Sequence, residues 1–279
     1  MAYTIEDLQK TNMDFLERVA DIKNIGYNDK AVFNVKTGGI KAYYQAKGST
    51  TARSYISERS FALETQEISA RPAINIVDLR AGRVNMADLI REANDEMTNM
   101  KLSKVEAVLH DAMDDFAAPF YASGTGIVKA TLDNQLNYFR RIGPVTILGD
   151  IAAIAQMVGI TGMATNAGGT LLVNASDNMI DEANNNGYLG KYNGMDVVAL
   201  QNAYHDGSTT PVLATDWLYI IPAGLSADQK NLKIVNEGGV NAMESQNIDD
   251  MVFEVRLDQW FGAGFVKKNL PTIGAYKIN

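Results

Sequence analysis

The sequence predicts an α+β fold, because strand-rich and helical segments occupy separate parts of the chain. Residues 31–79 are rich in valine, phenylalanine and tyrosine, which favour strands. Residues 85–116 carry the strongest helical pattern of apolar side chains. Residues 231–279 alternate apolar and polar side chains, as in a sheet with one packed face. We therefore expect sheets together with one long helix.

The composition is that of a globular protein with a substantial apolar core. Of the 279 residues, 46% are hydrophobic and 21% are charged, which is ordinary for one or two domains. The absence of cysteine excludes disulfides, thiolate catalysis and cysteine metal sites. A net charge of -8 argues against a basic nucleic-acid-binding surface as the main function.

The chain shows neither a secretory signal nor a membrane span. Its start, MAYTIEDLQKTNMDFLERV, has no basic region followed by an apolar run. The longest apolar stretch, PVTILGDIAAIAQMVGITGMA, is interrupted by Gly149, Asp150 and Gly159. A buried element fits this stretch better than a helix that crosses a membrane.

The first element is predicted to be a helix over residues 4–22. Leu8, Phe15 and Val19 lie partly at helical spacing, and Thr4 is a suitable N-cap. The sequence IGYND then ends the helix.

Residues 31–79 are predicted to form a long two-stranded hairpin, whose stretch SYISERSFALETQEISARP has too few apolar residues to build a core. A lone hairpin is marginal in water, so another surface must complete it. Because alternate residues of a strand share a face, one face of this stretch is expected to be basic, with Glu58 and Glu64 on the other. The residues of the basic face are Arg53, Arg59, Glu67 and Arg71.

The long helical segment, 85–116, carries two apolar stripes that are out of phase. The first stripe contains Met86, Ile90, Ala93, Met97 and Met100. The second contains Leu102, Val105, Leu109, Ala112 and Phe116. Ser103 and Glu106 match a capping box, so the segment is either one rod of about 48 Å or two helices that meet near Lys101.

Shorter elements are predicted for the rest of the chain. The helices are predicted at 132–143, 149–159 and 175–187. The strands are predicted at VTIL, TLLVNA, DVVAL, WLYIIPAG, LKIVN, MVFEVRLDQW, GAGFVKK and TIGAYKI.

No catalytic motif is complete. His110 and His205 lack the spacing of a zinc site, and no Gly-x-Ser-x-Gly sequence occurs. GTGIVK and GAGFVK hold only two glycines each, and in GYLGKYNG a tyrosine follows Lys191 where a phosphate loop needs serine or threonine. Turns explain these glycines better than ligand binding, so no cofactor is expected.

Charges are distributed unevenly along the chain. Residues 36–71 hold six basic and three acidic side chains, a balance of +3, whereas 85–116 hold three basic and eight acidic ones, a balance of -5. The acids Asp111, Asp114 and Asp115 crowd the helix C-terminus, where they oppose the dipole, so an outside cation or a basic partner is expected to compensate them. Clustered carboxylates can bind a divalent cation, but a solvated or partner-facing helix end is the favoured interpretation, and no metal site is predicted. The basic ribbon can meet the acidic helix in its own chain or in a neighbouring copy.

The order of these elements resembles a known family. The resemblance is carried by RSYISERSFALETQEISARP before the helix NMADLIREANDEM, then by PVTILGDIAAIAQMVG, NNNGYLGKYNGMDVVALQNAY and WLYIIPAG. It covers the chain from about Ala31 to the end. This layout is similar to that of the major capsid proteins of tailed double-stranded DNA bacteriophages, which have the Hong Kong-type capsid fold.

The resemblance implies a division of the chain and a set of partners. The implied parts are an N-terminal arm (1–30), an extended loop (31–80), a peripheral domain with a spine helix (81–142), an axial domain (143–222) and return strands of the peripheral domain (223–279). The implied product is an icosahedral head of hexamers and pentamers around packaged double-stranded DNA, assembled in the host bacterial cytoplasm. The implied partners are a portal, a scaffolding protein and optional cement proteins.

The predicted intersubunit contacts follow from the charge pattern and this resemblance. They are Lys47, Arg53, Arg59, Glu64, Arg71, Asp111, Asp114 and Asp115. Lys47 has no placeable catalytic or asparagine partner, so a cross-link is not expected. Two alternatives remain open: an encapsulin-type nanocompartment shell with the same fold, and a metal-dependent hydrolase that uses the Asp111 cluster.

Overall fold

A computed structural model describes most of the chain. The described residues are 20–37, 42, 44, 53–83, 85–160, 164–165, 172–173, 185–188, 190–200, 202–205, 207–247, 251–267 and 271–279. The strands are β1 (Ala20–Ile25), β2 (Val32–Thr37), β3 (Ser57–Ala62), β4 (Gln66–Ala70), β5 (Ala73–Asn75), β6 (Tyr121–Gly124), β7 (Val145–Asp150), β8 (Ala164–Thr165), β9 (Leu172–Val173), β10 (Lys191–Tyr192), β11 (Met195–Leu200), β12 (Trp217–Pro222), β13 (Leu232–Asn247), β14 (Val252–Phe265) and β15 (Gly274–Ile278). The α-helices are α1 (Ile76–Arg80), α2 (Met86–Met113), α3 (Lys129–Arg140) and α4 (Ile151–Ala155), and short 3-10 turns cover Gln156–Ile160 and Ala227–Gln229.

Two sheets organise the described part of the chain. The first has the order β1-β13-β14-β4, with β5 also pairing with β14. The second has six strands in the order β10-β11-β7-β12-β15-β6. Two small ladders, β2-β3 and β8-β9, stand apart from both sheets. The α+β prediction is therefore confirmed.

The long helix is one continuous element. Asn85 caps its start by accepting a hydrogen bond from the backbone N–H of Ala87 at 3.2 Å, and its 28 residues span about 42 Å. The alternative of two helices that meet near Lys101 is wrong. The capping box is wrong as well, because Glu106 is buried and bonds to other elements.

The two apolar stripes of α2 are out of phase because the helix packs against two different surfaces. Met97, near its middle, packs on Val255 and Leu257 of β14. Further along, Val105 and Leu109 belong to a core cluster that draws on both sheets. Both stripes are confirmed except at Met100, which was predicted in the first stripe but is 50% exposed.

The helix predicted over 4–22 is wrong where the structure describes it, at residues 20–22. These residues begin β1, which runs parallel to β13 with Ala20 opposite Leu232. Buried Lys233 of β13 donates a hydrogen bond to Asp21 at 2.7 Å. Pairing with a strand over two hundred residues away overrides the local helical pattern. Residues 4–19 lie outside the described range.

The predicted hairpin is confirmed at its base, where β2 and β3 pair antiparallel with Phe33 opposite Phe61. The two rings stack with centroids 5.6 Å apart, and buried Phe33 packs on Val235 of β13. The base of the hairpin therefore finds its counter-surface in its own chain.

The rest of the predicted ribbon is not one strand. The chain leaves strand conformation after β3, and β4 and β5 then pair with β14. Gly262 of β14 allows this close approach, since an added Cβ would lie 2.6 Å from the backbone oxygen of Glu64. The predicted basic face is wrong because the parity rule requires an unbroken strand. Residues 76–80 form α1, although they were predicted as extended chain.

The later elements follow the prediction closely. Helix α3 and strands β7, β11, β12 and β15 match their predicted segments. Strand β13 begins at LKIVN as predicted but continues to Asn247, and MVFEVRLDQW and the start of GAGFVKK, predicted as two strands, form the single strand β14. Asn193 and Gly194 adopt positive φ in the turn between β10 and β11, so the end of GYLGKYNG is a turn as expected, whereas Lys191 and Tyr192 before it form strand β10. Of the helix predicted at 175–187, residues 175–184 lie outside the described range.

The last strand leaves the sheet of its sequence neighbours. β15 lies between β12 and β6 in the six-stranded sheet, whereas β13 and β14 lie in the other sheet. Tyr276 of β15 is fully buried there, and its hydroxyl accepts a hydrogen bond from Val128 N at 2.9 Å. The segment 223–279 therefore contributes to both sheets. Among the described helices, none is long and apolar enough to cross a bilayer.

Candidate assembly surfaces and a buried polar network

The β2–β3 hairpin presents exposed charge and exposed apolar side chains together. Arg53 and Arg59 are both exposed. Tyr55 and Ile56, just before β3, expose 76% and 53% of their surface. Neighbouring exposed apolar side chains of this kind indicate a candidate contact surface. Lys47 lies outside the described residues.

The ribbon residues nearer the body have partners in their own chain. Arg71, on the segment between β4 and β5, donates from Nε to the carboxylate of Glu254 at 2.8 Å. Glu67 accepts a hydrogen bond from Arg256 at 2.6 Å. Glu64 is exposed. The assignment of Glu64 and Arg71 to an intersubunit contact remains a prediction.

The acidic end of α2 is compensated from within the chain. Asp111, Asp114 and Asp115 are all exposed, and Lys267 forms an ion pair with Asp115. This hydrogen bond to Asp115 raises the pKa of Lys267, and the charge of Asp111 adds to the rise. The expected compensating cation is thus in part an internal lysine. In the described part of the chain, no three acidic or histidine side chains are grouped to hold a metal ion.

A polar network joins the buried face of α2 to the six-stranded sheet. Glu106 accepts hydrogen bonds from the Tyr219 hydroxyl at 2.7 Å and from the backbone N–H of Ala214 at 2.9 Å. Because that hydroxyl donates to Glu106, its oxygen accepts from Nε2 of His110 at 2.8 Å. The His110 ring also stacks on Trp217, with centroids 3.8 Å apart.

No catalytic role for these residues was predicted from the sequence, and neither was the network itself. Glu106 lies four residues after Leu102 and three before Leu109, so it falls on the second buried stripe of α2. A charged residue inside an apolar stripe is the signal that could have revealed it.

Burial shifts the pKa values of both Glu106 and His110. Burial raises the pKa of Glu106, although the hydrogen bonds from Tyr219 and Ala214 oppose that rise. Burial lowers the pKa of His110 to about 4, against opposing effects from Asp216 and Asp114. At neutral pH the histidine is therefore neutral, in agreement with its place as a hydrogen-bond donor beside Trp217.

The pKa of His110 predicts a loss of stability in acid. The unfolded chain takes up a proton below the ordinary histidine pKa of 6.5, whereas the folded protein does so only near 4. Stability should fall by on the order of 2–3 kcal/mol over that window, while the raised pKa of Glu106 acts in the opposite direction. Urea unfolding from pH 7 to 4 should show a shallower fall for His110→Gln than for the wild type. Equal slopes in both proteins would contradict this assignment.

Another buried charge lies on α2. Lys101 is 1% exposed and donates a hydrogen bond to Gln259 of β14. Burial lowers its pKa to about 8. One of the two alternatives left open by the sequence placed a helix junction near this residue, whereas in the structure Lys101 lies within a continuous helix and joins it to the sheet.

Comparison with known proteins identifies the family. The family described as "SPbeta prophage-derived putative capsid protein YonB" matches residues 1–277. The chain belongs to this capsid protein family. A search of curated sequences finds no match.

Solved structures agree with the fold of a phage capsid subunit. A chain from Mycobacterium phage Bobi is 11% identical with a TM-score of 0.63, over 100% of this chain and 95% of that one. The capsid of cyanophage P-SCSP1u gives a TM-score of 0.60 at 11% identity, over 94% and 86% of the two chains. A virus-like particle from Pyrococcus furiosus gives 0.52 at 12% identity, over 98% and 96%.

Family and fold together confirm the interpretation of the sequence. The protein is a major capsid protein of the tailed-phage type with the Hong Kong-type fold. Its function is structural, as a capsid protein.

Proposed function

We propose that this capsid protein self-assembles into hexamers and pentamers that close into a head around double-stranded DNA. The family match over residues 1–277 is the observation that carries the proposal. The net charge of -8 is suited to a container whose wall does not bind the packed DNA tightly. The chain acts without catalysis, and it assembles in the bacterial cytoplasm with a portal, a scaffolding protein and optional cement proteins.

The exposed part of the β2–β3 hairpin is the proposed contact with a neighbouring subunit. Its base is held to the body by Phe33 and Phe61, while Tyr55 and Ile56 are exposed beside Arg59. Complementary charge on the neighbour, at Asp111, Asp114 or Asp115, would set the orientation of the contact more than its strength. A closed shell repeats each such contact many times, so weak contacts suffice.

Size-exclusion chromatography and negative-stain microscopy test the proposal. The purified chain, alone or with its scaffolding protein, should form closed particles with hexameric and pentameric capsomers. A protein that stays monomeric under all these conditions would count against self-assembly.

Arg59→Glu should lower the yield of particles several-fold and leave the subunit folded. The side chain is exposed, so its reversal acts on the contact between subunits and not on the core. Particle yield by microscopy and the circular dichroism of the subunit measure the two effects. The control is Arg59→Lys, which keeps the positive charge and should assemble normally. Normal particles from Arg59→Glu would show that this residue is not part of the contact.

The encapsulin-type shell is the second candidate, favoured by the similarity to the virus-like particle from Pyrococcus furiosus. The two candidates differ in contents and in genetic neighbourhood. Packaged DNA and adjacent terminase and portal genes support the phage head. A protein cargo and an adjacent cargo-enzyme gene support the nanocompartment.

A further inference from the structure

A cleft of about 260 Å³ opens beside the six-stranded sheet, where β7 and β12 meet the turn that leads to β13. Its apolar floor is formed by Leu148 and Ile221, which are 2% and 4% exposed. Leu225 and Lys230 lie on its rim and are half-buried. A cleft with an apolar floor and one cationic rim residue is suited to apolar side chains carried by a peptide.

The N-terminal part of the chain enters the described structure at this cleft. Strand β1 starts at Ala20, and it runs parallel to β13 with Ala20 opposite Leu232. Lys230, two residues before Leu232, donates a hydrogen bond from Nζ to the carbonyl oxygen of Ala20 at 3.0 Å. Ala20 also belongs to the same apolar cluster as Leu148 and Ile221. Ala20, the first described residue, is therefore held at the rim of the cleft.

The sequence just before Ala20 carries apolar side chains that could fill the cleft. Phe15, Leu16 and Val19 lie within five residues of Ala20. An extended chain advances about 3.3–3.6 Å per residue, so each of them stays within about 18 Å of the Ala20 tether. Burying one such side chain contributes about 1.5–3 kcal/mol. A tethered segment also has a high effective concentration at the cleft.

We propose that the cleft is the docking site for residues 13–19 of the same chain, with Phe15 or Leu16 on its floor. Occupation would place an apolar side chain against Leu148 and Ile221 and would hold the N-terminal arm near the start of β13. The arm is then an internal latch of the subunit, whatever the assembly that the subunit enters.

The absence of cysteine from the chain makes a direct test available. The variant Leu16→Cys/Leu225→Cys holds only the two new thiols, and diamide is the oxidant that joins them. We expect a disulfide within one chain, seen as a monomer on a non-reducing gel with a mass lower by two hydrogens. The matched control, Leu16→Cys/Ser208→Cys, places the second thiol on an exposed residue that does not line the cleft and should keep both thiols free.

The gel also distinguishes docking within one chain from docking of the arm of a second copy. A covalent dimer from the test pair would mean that a second copy donates its arm, and it would overturn docking within the chain. Free thiols in both the test pair and the control would overturn the proposal entirely.

Proteolysis gives a second measurement that does not depend on disulfide geometry. Trypsin cleaves after Arg18, which lies inside the proposed docked segment. Leu225→Asp should make this bond several-fold more sensitive, because it places a charge on the rim of the cleft. Ile142→Asp, at a residue that is 44% exposed and outside the cleft, should leave the rate of cleavage unchanged. Equal rates for both variants and the wild type would contradict docking.

Discussion

Asp21→Ala is expected to lower the free energy of unfolding by about 3 kcal/mol or more. The carboxylate of Asp21 accepts a hydrogen bond from Lys233 at 2.7 Å, and the exposed fractions of the two side chains are 11% and 1%. Removing the acid leaves a buried ammonium group that still donates a hydrogen bond to the carbonyl oxygen of Ala227 at 2.8 Å. Urea or guanidinium unfolding at pH 7 measures the change.

Two further variants show whether burial is the cause. Asp196→Ala breaks an exposed ion pair, in which Asp196 lies 3.9 Å from Lys191, and it should cost less than about 1 kcal/mol. Asp21→Ala/Lys233→Met removes both buried charges and should recover most of the lost stability. If the exposed and buried substitutions cost the same, the ion pair of Asp21 does not stabilise the attachment of β1.

Glu106→Ala is expected to lower the free energy of unfolding by about 3 kcal/mol. Glu106 lies where α2 packs against the six-stranded sheet. The substitution leaves the Tyr219 hydroxyl and the backbone N–H of Ala214 without their acceptor. Each unsatisfied buried donor costs about 1–3 kcal/mol, which exceeds the gain from no longer burying a carboxylate whose pKa is raised. Chemical unfolding monitored by tryptophan fluorescence is suitable, because Trp217 stacks on His110 in the same network.

The control for Glu106→Ala lies on the same helix. Glu92 is exposed, so Glu92→Ala removes the same side chain with little change, within about 0.5 kcal/mol. The loss of stability for Glu106→Gln should lie between those for Glu92→Ala and Glu106→Ala. The amide oxygen of glutamine accepts one hydrogen bond, while its NH₂ group faces the second donor and cannot accept from it. An alanine variant as stable as the wild type would mean that water replaces the carboxylate.

The elements with strong local patterns were predictable. Helix α2 and strands such as β12 follow the spacing of their apolar residues, because a sheet face or a helix stripe must be buried wherever it packs. The family resemblance was also visible in the order of these elements, and the match to residues 1–277 confirms it.

The candidate site was only partly predictable. The sequence identified the charges at Arg59 and Asp115, but it did not show that Lys267 pairs with Asp115. It treated the ribbon as one continuous limb, whereas β4 and β5 pair with β14 of the same chain. Charge counts along a sequence contain no information about which distant residue supplies the partner.

The sequence by itself determined the α+β class, the helical character of residues 85–116 and the capsid family of this protein. Only the tertiary structure decided that residues 20–25 form a strand, that one helix serves two surfaces, and that Glu106 and Lys101 are buried. The reason is physical. Periodicity reports which face of an element is apolar, whereas strand pairing and the burial of a charge depend on contacts between residues that are far apart in the chain.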